Sequence, residues 1–460
     1  MRTPAGARRH LLDDPRPIWQ LLLLFLGPLI LSNALQALNS TIGSIYLGRL
    51  VGVYALAAVS AIFPVMFLLI SFIIGLASGS TVLIGQAYGA RDYDKVKQIA
   101  GTTLTLSFLL SIVVGVGGGM LSEPMLRALG TPHDILAVSA SYSRIFFFGM
   151  PILFVYLIYT TFLRGTGDTK TPMYALILGT VLTMLLTPPL ILGWFGLPRL
   201  LTDGAAISGV VSNALAMLAL LIYLARTHNP LALDGAMLRH LGIRWDLAWH
   251  IVRIGLPTAL NMIMVSLSEI AVLSFVNRFG STATAAYGAV NQVVSYVQFP
   301  AISIAIAVSI FGSQAIGASA HDRIAKIVRS GVVLNYVVEG LLIGVCYLLS
   351  WHIISLFIVD PKTVAIAQRL LHITLWSYVI FGNARVLSAI MLSSGTVLWP
   401  TVFSIASIWG VEVPVAYVLM QRIGLDGVWY GYPAAYAAGL IMQFAYYKLV
   451  WKNKPLTRLV

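Results

Sequence analysis

The stretch Gly85-Gln86-Ala87-Tyr88-Gly89-Ala90-Arg91-Asp92-Tyr93-Asp94-Lys95 closes one long apolar run and opens the next. It has an echo at Ser313-Gln314-Ala315-Ile316-Gly317-Ala318, followed by Asp322-Arg323. A shift of 228 positions lays Gln86 on Gln314, Gly89 on Gly317 and Asp94 on Asp322. The same shift lays Gly52 on Gly280, Ala57-Ala58 on Ala285-Ala286, Gly167 on Gly395 and Pro172 on Pro400. One register serving such widely separated markers makes the chain a tandem duplication of one unit.

The runs around these markers are those of a polytopic membrane protein. Of 460 residues, 58% are hydrophobic and 10% charged, and the mean hydropathy is +0.88. A soluble domain carries roughly a quarter charged residues. The runs are too long for barrel strands and do not alternate, so they read as helices. The net charge of +13 does not indicate nucleic acid, because the basic residues lie in short loops between apolar runs. The single Cys346 excludes an internal disulfide and a cysteine metal cluster.

About twelve spans are expected, six per copy: 17–46, 53–84, 97–121, 136–163, 173–195 and 204–226, then 247–277, 282–312, 326–350, 364–391, 399–420 and 427–449. Residues 1–16 and 450–460 read as tails and 227–246 as a polar connector. Basic residues crowd the N-terminus and the segments 91–97, 164–170, 226–253, 323–329 and 448–458. The opposite side holds only Arg49, Arg127, Arg199, Arg278, Lys362 and Arg422. This asymmetry puts both termini in the cytoplasm. An even number of spans per copy inserts both the same way up, related by an axis along the membrane normal.

Polar residues inside the spans are the functional candidates. Ser32, Gln36, Asn39, Gly43 and Tyr46 share one face of the first span. Thr284, Tyr287, Asn291, Ser295 and Gln298 repeat the device in the eighth. Lipid offers such stripes no partners, so they either glue helices together or wall a wet cavity for substrate. The cavity residues are then Gln36, Asn39, Tyr287, Asn291, Ser295 and Gln298. Three acids lie in apolar surroundings: Glu269, Glu339 and Glu412. Intramembrane acids are expensive and mark ion paths or structural hydrogen bonds. Glu269 and Glu412 each lie about eight residues below the outer end of their span, roughly 12 Å deep at 1.5 Å per residue. They are the expected ion-coupling residues. Arg385 is placed to pair with Glu339 or to snorkel. Pro28 and Pro257 hold nearly equivalent places in the first and seventh spans, as static kinks or as hinges. Gly115, Gly117, Gly118 and Gly119 suit close helix packing.

No soluble catalytic motif is present. Gly165-Thr166-Gly167-Asp168-Thr169-Lys170-Thr171 lacks the phosphate-loop spacing and joins two membrane helices. His250, His352 and His372 have no ligand spacing. An enzyme, a cofactor and a bound metal are not expected.

Several motifs together resemble the MATE (multidrug and toxic compound extrusion) transporters. They are Ile45-Tyr46-Leu47-Gly48-Arg49-Leu50 with Ala57-Ala58-Val59-Ser60, Gly85-Gln86-Ala87-Tyr88-Gly89-Ala90, and Leu163-Arg164-Gly165-Thr166-Gly167-Asp168-Thr169-Lys170-Thr171-Pro172, in the twelve-span duplicated layout. The resemblance covers essentially the whole chain. It implies two six-helix lobes, a central substrate cleft, and efflux of amphipathic or cationic compounds driven by sodium or proton entry. It also implies a monomer in a bacterial plasma membrane. The chain departs from the family in places. Gly43 stands where many bacterial relatives have a first-span aspartate. The tenth span carries no acid and reads Phe381-Gly382-Asn383-Ala384-Arg385. The seventh-span acid of the family's sodium-coupled branch falls about one turn before Glu269. Glu412 stands before Val413-Pro414, where an arginine is common. A lipid-linked precursor flippase of the same superfamily, or a membrane-embedded enzyme, are the competing expectations.

Overall fold

The computed structural model describes residues 13–196, 198–358 and 360–460, all but Val53 with their side chains. Most of the expected tail at 1–16 therefore lies outside the described residues. Its end is held locally, where the Arg16 guanidinium donates to both Asp14 carboxylate oxygens at 2.9 and 2.6 Å.

The described residues are helical throughout, with no strand. Among the described residues, eleven helices are long and apolar enough to cross a membrane. In the first copy these spans are Ile18–Val51, Phe63–Gly89, Tyr93–Met120, His133–Gly165, Lys170–Leu192 and Leu201–Arg226. Spans seven to eleven are Trp245–Asn277, Ser281–Gly317, Asp322–Leu348, Pro361–Ser393 and Leu398–Ile423. The twelfth, Gly431–Leu449, has 19 residues. It is less apolar because Tyr432, Tyr436, Gln443, Tyr446 and Tyr447 take places that aliphatic residues fill elsewhere. The protein is thus an all-helical membrane protein built of two six-helix repeats.

The duplication is written into the backbone. Positive φ occurs at Gly52 and Gly280, at Arg91 and Ser319, at Gly167 and Gly395, and at Gly196 and Gly424, each pair in the register that matches Gln86 with Gln314. Spans two and eight end alike. Asp92 N donates to Ala87 O at 3.0 Å, and Ala320 N donates to Ala315 O at 2.8 Å. These bonds close the last turn over a left-handed residue. Spans four and ten end the same way, through Asp168 N to Leu163 O at 2.8 Å and Thr396 N to Met391 O at 3.1 Å. In the first of these turns Asp168 accepts from Thr171 N at 3.0 Å and from Thr171 Oγ1 at 2.6 Å. The loop that glances at a phosphate motif is a capped helix junction.

Two compact units emerge, and their borders differ from 17–226 and 247–449. One unit is Leu31–Gly255; the other is the segment that ends at Ile30 together with Leu256–Leu459. The borders fall beside Pro28 and Pro257, which both lie inside unbroken helices. Apolar packing explains the assignment. Leu22, Phe25, Leu26 and Leu29 join the core of Ile304, Ala307, Phe311 and Ile390, with Phe25 edge-on to Phe311 at 5.5 Å. The start of span seven packs in the other unit. A Cβ at Gly79 would lie 2.5 Å from the Ile251 carbonyl oxygen, and one at Gly255 would lie 2.8 Å from that of Gly75. In lipid, helices gain little from hydrophobicity and associate through close contacts of this kind.

The glycine run of span three works similarly. A Cβ at Gly115 would lie 2.7 Å from the Phe147 carbonyl oxygen, and ones at Gly118 and Gly119 would meet the Phe147 and Phe148 rings. Gly117 meets nothing within 4 Å, so the packing role falls to three of the four. In the same unit the connector is pinned to span three. Lys97 Nζ bonds Asp234 Oδ2 at 2.7 Å, and a Cβ at Gly101 would collide with the His240 carbonyl.

Candidate functional site: acids and tyrosines in the second unit

Spans seven and eleven are clasped at three levels. Ser404 Oγ donates to Asn261 Oδ1 at 2.9 Å. Trp409 Nε1 donates to the Met264 carbonyl at 3.2 Å. Further along, the Phe275 and Tyr417 rings lie 5.7 Å apart. Glu269 and Glu412 fall between the second and third levels, close enough for their charges to interact. Glu412 is buried, whereas Glu269 is exposed. Local backbone sets the position of Glu412. It ends a π-helical turn, Ile408–Glu412, directly before the helix carrying Pro414. Proline cannot donate back to the preceding turn, and the wider π-turn accommodates the freed carbonyls. Span twelve closes against this turn, since a Cβ at Gly431 would lie 2.8 Å from the Glu412 carbonyl oxygen.

A tyrosine cluster borders the two acids. The Tyr287 and Tyr432 hydroxyls are hydrogen-bonded at 3.0 Å, and the Tyr287 ring stacks on Trp429 at 5.8 Å and 7°. Tyr436 stands edge-on to Tyr378 at 5.3 Å and tilted on Phe381 at 5.1 Å. The charges of Glu269 and Glu412 reach Tyr287, Tyr432 and Tyr436. Asn291 adjoins the Tyr287 hydroxyl and Gln298 that of Tyr378. Buried tyrosine hydroxyls both donate and accept, so this group offers oxygen ligands or a proton path beside two carboxylates.

The other expected site residues scatter. Ser295 is exposed and its hydroxyl donates to the Asn291 carbonyl of its own helix at 2.8 Å. In the first unit, Gln36 is exposed and Asn39 is half-buried with an unpartnered Oδ1. Tyr46 donates to the Met184 carbonyl at 3.4 Å. A Cβ at Gly43, where relatives of the resembled family place an acid, would meet nothing within 4 Å.

The expected Glu339–Arg385 pair is not formed among the described residues. Arg385 lies over the Phe381 ring at 5.3 Å, within reach of Tyr436. Glu339 instead abuts Gly382. Ring and acid lie on different sides of span ten, and the guanidinium follows the ring. Arg369 pairs with Asp426 at 3.5 Å. Tyr378, Trp429, Tyr432 and Tyr436 were not singled out by sequence. Their signal was the i, i+4 spacing of Tyr432 and Tyr436 in the least apolar span.

A duplicated helical membrane protein with acids on two membrane spans that are clasped together has the layout of a secondary transporter. The chain belongs to the MatE family, whose model matches residues 28–188 and again 257–418. It is 53% identical over 445 residues, 96% of each chain, to the Probable multidrug resistance protein YoeA of Bacillus subtilis (strain 168). It is 29% identical over 440 residues to the Probable multidrug resistance protein YpnP of the same strain, covering 95% of this chain and 96% of the relative. Among solved structures, MATE in the bent conformation aligns at TM-score 0.86 and 20% identity, over 96% of this chain and 97% of that one. MATE in the straight conformation aligns at 0.86 and 20%, over 96% and 98%. At that identity the likeness establishes the fold.

Proposed function

We propose that this protein is a secondary active efflux antiporter. It exports amphipathic, cationic small molecules in exchange for sodium ions or protons by alternating access, as a monomer in the bacterial plasma membrane with both termini cytoplasmic. The observation that carries the reading is the Glu269–Glu412 pair beside the Tyr287–Tyr432 hydroxyl contact. Two carboxylates within mutual reach repel when both are ionised, so the pair favours an added proton or cation. Glu269, the exposed member, receives the ion; Glu412 holds it at the π-turn. Both sit on helices packed together, so loading changes the net charge between spans seven, eleven and twelve. The names of the B. subtilis relatives support the choice of drugs as cargo. Gln36, Asn39, Tyr287, Asn291, Ser295 and Gln298 line the substrate path in this reading. Pro28 and Pro257, beside the borders of the compact units, serve as hinges.

Dye efflux from proteoliposomes under separately imposed sodium and proton gradients tests the reading. Efflux that follows one gradient and collapses with it is expected. Dye movement indifferent to both gradients rejects antiport.

A further inference from the structure

Arg385 stands eight residues before Ser393, where span ten ends. That is roughly 12 Å along the helix at 1.5 Å per residue. A long cation near a span end ordinarily turns outward to the headgroups. This one turns the other way. Its guanidinium lies 5.3 Å from the centre of the Phe381 ring, one turn further from that end. Phe381 packs in turn on Tyr436 at 5.1 Å and on Tyr378 at 6.1 Å. The guanidinium therefore caps an aromatic cluster inside the span.

Among the described residues no carboxylate pairs with it. Glu339 lies on the other side of span ten, against Gly382, and the ionisable neighbour of Arg385 is the Tyr436 hydroxyl. A guanidinium taken out of water without an anion is costly. Phe381, Arg385 and Tyr436 are each only half-buried, so one side of the cluster stays open. An open charged side within a span turns to the bundle interior or to a wet cavity rather than to lipid. We infer that Arg385 is the seat of a carboxylate carried by an amphipathic small molecule, whose apolar body lies against Phe381 and Tyr436. The planar guanidinium offers a carboxylate two parallel N–H bonds, and the rings offer the apolar body its contact area. A lipid phosphate fits worse, because the guanidinium points away from the nearer span end. The inference rests on the antiport reading for the direction of travel, and it extends the cargo from cations to amphipathic carboxylates. The binding itself needs no gradient.

The test is isothermal titration calorimetry on the purified full-length protein in phosphatidylcholine nanodiscs at neutral pH. The probes are naphthaleneacetate and its neutral amide, naphthaleneacetamide. The acid should bind about tenfold more tightly than the amide, the gain of one charge-assisted pair. Arg385→Gln should erase that preference, and Arg385→Lys should keep part of it, because the charge stays and the fork is lost. Size-exclusion profiles confirm folding; the wild-type ratio of acid to amide decides even where a variant misfolds. Equal binding of the two probes by the wild type, or an unchanged ratio in Arg385→Gln, overturns the seat. Displacement of naphthaleneacetate by phosphatidylglycerol added to the discs overturns it too and gives Arg385 to lipid. Dye efflux indifferent to both gradients, with the acid preference intact, rejects antiport and leaves the seat standing.

Discussion

The indole nitrogen of Trp409 donates to the backbone carbonyl of Met264 across 3.2 Å, and this bond ties span eleven to span seven. The Ser404–Asn261 bond at 2.9 Å sits below it. Turning Glu269 and Glu412 apart would break both bonds. If the acids act as a pair, their losses will not add. Glu269→Gln and Glu412→Gln should each strongly lower gradient-driven dye efflux while leaving it measurable, and the double variant should be no worse than either. Efflux rates in proteoliposomes check this. Independent, multiplying losses would show two separate acids.

The clasp itself is testable. Trp409→Phe removes the donor but keeps most of the ring. A net loss of about 1 kcal/mol is expected for such a bond, seen as a small drop in Tm. The efflux rate should fall further than the Tm change accounts for, because the acids lose their register. A variant with lowered Tm and full efflux would make the bond merely structural.

Much of this fold was legible because membrane helices obey few rules. Long apolar runs had to be helices, and the Gln86–Gln314 register had to be a duplication; the paired positive-φ residues Arg91 and Ser319 carry it into the backbone. The placement of Glu269 and Glu412 on spans seven and eleven was legible too. Their facing was not, because it depends on Trp409 and on the π-turn, and neither has a sequence period. The Glu339–Arg385 pairing failed because opposite charge says nothing about which side of a helix each group takes. The roles of Tyr432 and Tyr436 are not legible in sequence, because tyrosine reads as apolar until a neighbouring hydroxyl gives it a partner.

Accessibility separates the stripe residues. In a Cys346→Ala background, cysteines at Gln36 and Ser295 should react quickly with a water-soluble maleimide if these exposed positions face the aqueous path rather than lipid. A cysteine at Tyr287 should react slowly, because that residue is buried against Trp429. Substrate should protect the first two. Fast labelling at Tyr287 with none at Gln36 and Ser295 would place the aqueous path elsewhere.

The connector clamp gives a pH dependence. Partial burial pushes the Asp234 carboxyl up, but the Lys97 ammonium and the Met237 N–H outweigh it and hold its pKa below the ordinary value. A depressed folded pKa contributes stability above the unfolded value, lost as pH falls through the folded value. The clamp is therefore intact at neutral pH and fades below about pH 4. Asp234 is about half exposed, so solvent screening limits the contribution to roughly 0.5 kcal/mol. Asp234→Asn should lower Tm slightly at pH 7 and leave it unchanged at strongly acid pH. An equal drop at both would assign the effect to the helix cap at Met237 rather than to charge.

Proline 257 separates a kink from a hinge. It lies inside the helix Trp245–Asn277, just past Gly255, whose missing side chain lets this helix lie 2.8 Å from the Gly75 carbonyl oxygen as a Cβ would measure it. Proline removes one backbone bond and disfavours the straight helix by about 3 kcal/mol. Pro257→Ala should restore that bond and raise Tm. If the proline is a hinge, the same change should slow efflux, because the bend then has to break a hydrogen bond on every cycle. Pro28→Ala should behave alike, since it lies inside the first helix in a nearly equivalent place. Raised Tm with wild-type efflux in both variants would make the two prolines static kinks.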